Sequence, residues 1–160
     1  MRIILIGPDG AGKSTIARKL AKTVDTEIEI IDCSYKEEDK YNRARRLLKE
    51  TEGKNVIFDR FYFPDELVYS EVKGIKKTAT EKQQWQKLNN SLADTDIVFW
   101  YIYSDLEVLH RNLCNRGDEY IEPEELHKIL EVYEYYITHV IKAPVRRIKG
   151  NDKFEYEVLE

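Results

Sequence analysis

The chain is sparing in several residue types, and each scarcity removes a class of protein. Of 160 residues only two are cysteine, Cys33 and Cys114, far apart and in no CxxC spacing. A disulfide framework or a zinc ribbon is therefore excluded, and two reduced thiols of a cytosolic protein are the expectation. Histidine occurs three times without a metal-binding pattern. His110 and Cys114 stand four apart on an expected helix, half a metal site at most, and packing is the simpler account. With 7 glycines and 4 prolines, collagen-like and low-complexity structure is ruled out. Apolar runs are short, Ile3–Ile6 and Ile97–Tyr103 among them, so neither a membrane span nor a signal-peptide core is expected. Positive charge is not in excess either: Lys and Arg total 26 against 30 Asp and Glu, a net charge of −4. Bulk charge thus argues against a nucleic-acid or membrane partner. A soluble, cytoplasmic protein is the expectation.

What is present alternates between strand and helix. Arg2–Ile6 reads as a buried parallel strand, and Ile16, Ala17, Leu20 and Val24 repeat at helical spacing after it. Ile28–Ile31, Val56–Phe58, Ile97–Tyr103 and Val145–Ile148 supply four more strands. The intervening helices are expected at about 37–52, 64–72, 80–92, 104–115 and 123–141. Gly53 and Gly74 mark helix ends, Pro123 a start and Pro144 a stop. Ser104 with Glu107 suggests a capping box. The tail from Asn151 to Glu160 carries no clear signal. Five short strands separated by helices predict an α/β fold, a five-stranded parallel sheet with helices on both faces, as one domain over residues 1–160.

Three segments carry chemistry. Gly7-Pro8-Asp9-Gly10-Ala11-Gly12-Lys13-Ser14 fits the P-loop pattern G-x4-G-K-[ST], with a buried strand before it and an amphipathic helix after it. Its glycines let the backbone curl around phosphate oxygens at the positive end of the helix. Gly7, Gly10, Ala11 and Gly12 would cradle ATP, Lys13 reach its β- and γ-phosphates, Ser14 bind Mg²⁺ and Thr15 donate to the α-phosphate. Asp59 ends the third strand, facing the crevice where parallel sheets bind ligands, and is placed to hold a water of the Mg²⁺ shell. Arg60 beside it has the fork for a phosphate. Between two helices, His110 to Tyr120 forms a polar segment whose arginines could fold over the triphosphate. Arg43, Arg45, Arg46 and Lys49 make a basic helix face better explained by solvation than by substrate. Tyr133, Tyr135 and Tyr136 suit helix packing, while Tyr35 and Tyr41 lie nearer the crevice.

With these motifs in view, the chain resembles the thymidylate kinase-like nucleoside and nucleotide kinases. The matching segments are Gly7–Thr15, Asp59-Arg60-Phe61-Tyr62-Phe63, and Arg116-Gly117 followed by Ile121-Glu122 and the helix beyond. The resemblance implies that Asp9 contacts the acceptor sugar and Arg60 its phosphate, and Phe63, Tyr35 and Arg43 are the further acceptor-side candidates. It implies a lid at about 115–122 supplying catalytic Arg116, with Arg111 against the donor adenine. Lys13, Asp59, Arg60 and Arg116 would then be the catalytic set, ATP and Mg²⁺ the cofactors, and Ser14 and Asp59 the metal-binding pair. It further implies a small nucleotide or nucleoside acceptor, dTMP first, and a homodimer. The family's Arg-Glu-Pro-Gly-Gly-Thr segment is replaced here by Asp32-Cys33-Ser34-Tyr35-Lys36, and Tyr120 stands where a second lid arginine is expected. In related deoxynucleoside kinases an acidic residue at that place acts as base toward the 5′-hydroxyl, a role open to Asp32. A regulatory module that binds ATP without transferring it is the reading from another class.

Overall fold

A computed structural model describes residues 1–33, 39–116, 122–150 and 156–159. Its strands and helices run β1 (Arg2–Ile6), α1 (Lys13–Thr23), β2 (Glu29–Asp32), α2 (Lys40–Glu50), β3 (Val56–Asp59), α3 (Asp65–Lys73), α4 (Ala79–Leu92), β4 (Ile97–Tyr103), α5 (Leu106–Arg116), α6 (Leu126–His139), β5 (Val145–Gly150) and β6 (Tyr156–Leu159). The sheet order is β2-β3-β1-β4-β5-β6. The first five strands pair in parallel, as expected from the sequence. The sixth adds itself antiparallel to β5, with Ile148 opposite Val158, in a tail that offered no signal of its own.

This order decides where a ligand can bind. The chain leaves β1 in one direction across the sheet and leaves β3 in the other. Right-handed crossovers then carry α1 over one face and α2 and α3 over the opposite one. Adjacent strands that part in this way open a crevice at their carboxyl ends. Both Gly7 and Asp59 stand at that edge, since Leu5 pairs with Asp59 in the register of β1 and β3. Across the second face α3 packs on α6, and α2 on α4.

Local chemistry explains the element boundaries. All five residues of β1 are buried, which requires apolar side chains on both faces, apart from Arg2. Asp39 caps α2 by accepting from the Asn42 N–H at 3.2 Å. The reciprocal capping box lies at Thr78 and Glu81, opening α4. Gly74 ends α3 in the left-handed conformation at φ 69°. The core between the layers is rich in rings: Phe58, Phe61, Phe63, Phe99, Tyr101 and Tyr133 are all fully buried. Among the described residues no helix is long and apolar enough to cross a membrane.

Candidate active site

The loop between β1 and α1 is built on three left-handed glycines, Gly7 (φ 140°), Gly10 (φ 85°) and Gly12 (φ 87°). Gly7 is held by close approach as well: a Cβ there would meet the Ile102 carbonyl oxygen at 2.0 Å. The backbone therefore turns sharply against β4 and enters α1 at Lys13, whose side chain folds back under the loop. Its Nζ donates to the Gly7 carbonyl at 2.7 Å and the Pro8 carbonyl at 3.0 Å, and lies 3.9 Å from the Asp9 carboxylate. Burial lowers the Lys13 pKa, opposed by the charges of Asp9, Asp65 and Asp59, while Arg60 adds to the lowering.

Other elements clamp the loop from outside. Asn112 on α5 donates from Nδ2 to the Gly10 carbonyl at 2.8 Å. The Asp9 N–H donates to Tyr69 Oη on α3 at 3.2 Å, and Tyr133 on α6 donates to the Gly7 carbonyl at 3.1 Å. These residues escaped sequence reasoning because their partners lie 60 or more positions away. The side chains forming this clamp carry no motif of their own.

In front of the loop opens a cavity of about 590 Å³. Gly10, Gly12, Lys13, Ser14 and Thr15 line its floor, and Arg18, Arg60, Arg111, Asn112 and Asn115 its rim. Asp9 joins them, so the structure brings most of the expected donor-side residues to one place, with Arg18 an addition. Asp59, next to Arg60 in the chain, is buried, and its Oδ1 has no hydrogen-bond partner. Arg60 adopts φ 72°, a left-handed backbone that costs a non-glycine residue about 1 kcal/mol. Asp32 at the end of β2 pairs in register with Asp59, putting two carboxylates and Arg60 on one edge. Partial burial raises the Asp32 pKa from its ordinary value; Arg60 opposes this and Asp59 adds to it.

Several expected residues stand elsewhere. Phe63 is not on the cavity: it is 1% exposed, stacked on Trp85 and edge-on to Phe99, because the apolar face of the segment after β3 turns into the core. Arg43 is half-buried on α2 and acts on Cys33, holding down a thiol that burial pushes up to about 12. Arg45 lies over the Tyr41 ring and Arg46 reaches Glu50, in keeping with a solvated helix face. Tyr133 packs in the core, whereas Tyr135 is exposed. His110 and Cys114 approach to 3.8 Å, yet among the described residues no group of three metal-binding side chains forms. Tyr35 lies outside the described residues, as does the lid from 117 to 121; Arg116 closes α5 with its side chain undescribed.

A parallel sheet with β1 beside β3, a glycine-turned loop entering α1 and a buried lysine beneath it define a P-loop NTPase. The chain belongs to the family described as ATPase family associated with various cellular activities (AAA), which matches residues 3–98, more than half of it. It is 36% identical over 136 residues, 82% of this chain and 78% of the relative, to the SPbeta prophage-derived protein YorR of Bacillus subtilis strain 168. The crystal structure of Bacillus subtilis YorR in complex with phosphorylated GDP is similar at a TM-score of 0.72 and 28% identity, covering 96% of this chain and 90% of that one. The fold is shared with deoxyadenosine kinase from M. mycoides with bound dATP, at a TM-score of 0.63 and 19% identity, over 93% and 91% of the two chains.

Proposed function

We propose that the chain is a single P-loop kinase domain that transfers the γ-phosphoryl group of ATP to a deoxynucleoside monophosphate, dTMP first among them. The carrying observation is the convergence of Lys13, Arg18, Arg60 and Arg111 on one cavity beside the buried Asp59. Four cations exceed what a donor triphosphate alone calls for and suit a second, acceptor phosphate. The fold shared with deoxyadenosine kinase and the kinship with YorR support the reaction class.

The residues present fit Mg²⁺ and ATP. Asp59 Oδ1 is an orphaned buried acceptor, the kind a hydrated cation satisfies, and Ser14 stands at the first turn of α1. Bound Mg²⁺ supplies charge neutralisation across the phosphate oxygens. Ser14 and Asp59 hold the cation shell. Lys13 exchanges its two carbonyl partners for phosphate oxygens, and Thr15 donates to the α-phosphate. Arg60 fixes the acceptor phosphate and Asp9 its sugar, while Arg111 flanks the donor adenine. Arg116 and the lid at 115–122 close over the triphosphate and exclude water. An ionised acceptor phosphate needs no base, so alignment and charge stabilisation carry the reaction.

One observation favours a second reading. Asp32, in register with Asp59 and with a raised pKa, is placed to take the proton of a nucleoside 5′-hydroxyl. A panel of deoxynucleoside monophosphates and their nucleosides with ATP separates the two. Diphosphate from a monophosphate, with Asp32→Asn slowing transfer less than about tenfold, supports the first reading. Monophosphate from a nucleoside, abolished by Asp32→Asn, supports the second. Binding of ATP without any transfer overturns both in favour of a regulatory module.

A further inference from the structure

Buried beside the loop, and not among the residues lining the cavity, lies an acidic group that phosphoryl transfer leaves unused. Asp65 opens α3 with 1% exposure. Its Oδ1 is 2.7 Å from Tyr133 Oη, and its Oδ2 has no hydrogen-bond partner. The same Tyr133 oxygen is 3.1 Å from the Gly7 carbonyl, which also receives Lys13. Tyr69 joins the group, its ring edge-on to Tyr133 and its hydroxyl oxygen accepting from the Asp9 N–H.

Protons can be counted across this contact. A phenol carries one, while a carbonyl and an ionised carboxylate carry none. With Asp65 ionised, Tyr133 can serve either the carboxylate or the Gly7 carbonyl, and one contact stays empty. With Asp65 protonated, both are filled. The carboxyl O–H donates to Tyr133 Oη, and the Tyr133 O–H donates to Gly7. The unpartnered Oδ2 is then a neutral carbonyl oxygen, far cheaper to bury than half of a carboxylate.

We propose that Asp65 works as a neutral carboxylic acid, a positioning residue that acts through Tyr133 on the Gly7 carbonyl and so fixes the first turn of the loop and the resting place of Lys13. This rests on reading Gly7–Ser14 as the phosphate loop. The groups facing Asp65 are Lys13 from α1, Asp9 from the loop, Arg60 from beyond β3, Cys33 from beyond β2 and Tyr133 from α6. Burial dominates and pushes its carboxyl up to about 7. Lys13, the Tyr133 hydrogen bond and Arg60 pull down, and Asp9 pushes up.

The test is a carboxyl ¹³C NMR titration of the full chain, with Asp65→Asn identifying the signal. The expected result is an Asp65 resonance that titrates above pH 6; titration near pH 4 overturns the proposal. ATP affinity by calorimetry supplies the second readout. Tyr133→Phe, which loses one buried hydrogen bond to the loop, weakens binding by about tenfold at pH 6. Asp65→Asn, whose amide N–H still donates to Tyr133, stays within about threefold there and lacks the wild-type loss of affinity between pH 6 and 8. An Asn variant that keeps the wild-type pH profile overturns the proposal. Wild-type protein that binds no ATP while Asp65 titrates above pH 6 removes the phosphate-loop reading and leaves the protonated acid in place.

Discussion

The central strand β1 has a buried cation near each end, and the two are treated in opposite ways. At its start Arg2, 4% exposed, donates to the Leu48 carbonyl at 2.7 Å, to Thr51 Oγ1 at 3.3 Å and to Asp96 at 2.8 Å. Its partners come from α2, the turn after it and the turn before β4, so the guanidinium ties three segments together. Just past the other end Lys13, 6% exposed, rests on two carbonyls of its own loop. Around it, Asp59 Oδ1 and Asp65 Oδ2 are buried without partners. One end of the sheet has its polar groups matched. The other holds charge that the fold alone leaves unmatched, the usual mark of a place where a ligand or a proton completes the structure.

This contrast can be broken by substitutions that exchange the two behaviours. Lys13→Ala has the largest effect. Transfer falls by about 10³-fold, while the thermal midpoint holds, because the hydrogen bonds Lys13 gives up run to carbonyls of its own loop and tie no other segment to it. A large drop in the midpoint would place Lys13 with Arg2 as a structural clamp. Gly7→Ala comes next. Strain at φ 140° and collision with the Ile102 carbonyl cost about 3 kcal/mol of folding stability, measured by urea unfolding. Arg2→Met should cost about 2 kcal/mol in the same measurement and leave transfer rates unchanged, since its lost bonds lie at the opposite edge. A fall in rate would join the two ends functionally.

The last effect is a slope. Asp65 is pushed up to about 7 from an ordinary 3.8, so the folded protein keeps a proton that the unfolded chain releases. Its contribution to stability is complete below about pH 4 and is lost as pH rises to about 7. Thermal midpoints at pH 5 and pH 8 should therefore differ more in the wild type than in Asp65→Asn. Equal differences would mean that Asp65 is ionised throughout.

What the sequence disclosed follows the range of the forces involved. Strands β1, β3 and β4 were legible because burial leaves apolar runs in them, whereas β2 and β5, nearer the sheet edge and more exposed, carry shorter apolar stretches. The loop was legible because its glycines and lysine lie within eight residues. Tyr133, Asp65, Tyr69 and Asn112 were not, since each meets its partner across 60 to 126 positions, and for Tyr133 helix packing was explanation enough. Phe63 was misplaced because it adjoins Asp59 and Arg60 in sequence, whereas its side chain enters the core. The strand β6 was missed because its pairing with β5 is antiparallel at the sheet edge, where no run of apolar residues is needed.

Arg60 bears on how this protein would respond to selection. Glycine at that position relaxes the left-handed backbone and returns about 1 kcal/mol, among the cheapest stabilising changes the molecule offers. A library sorted for heat resistance alone would accept it, and would discard in the same step the guanidinium at the mouth of the cavity. Any engineering of this fold toward robustness must therefore select for turnover at every round.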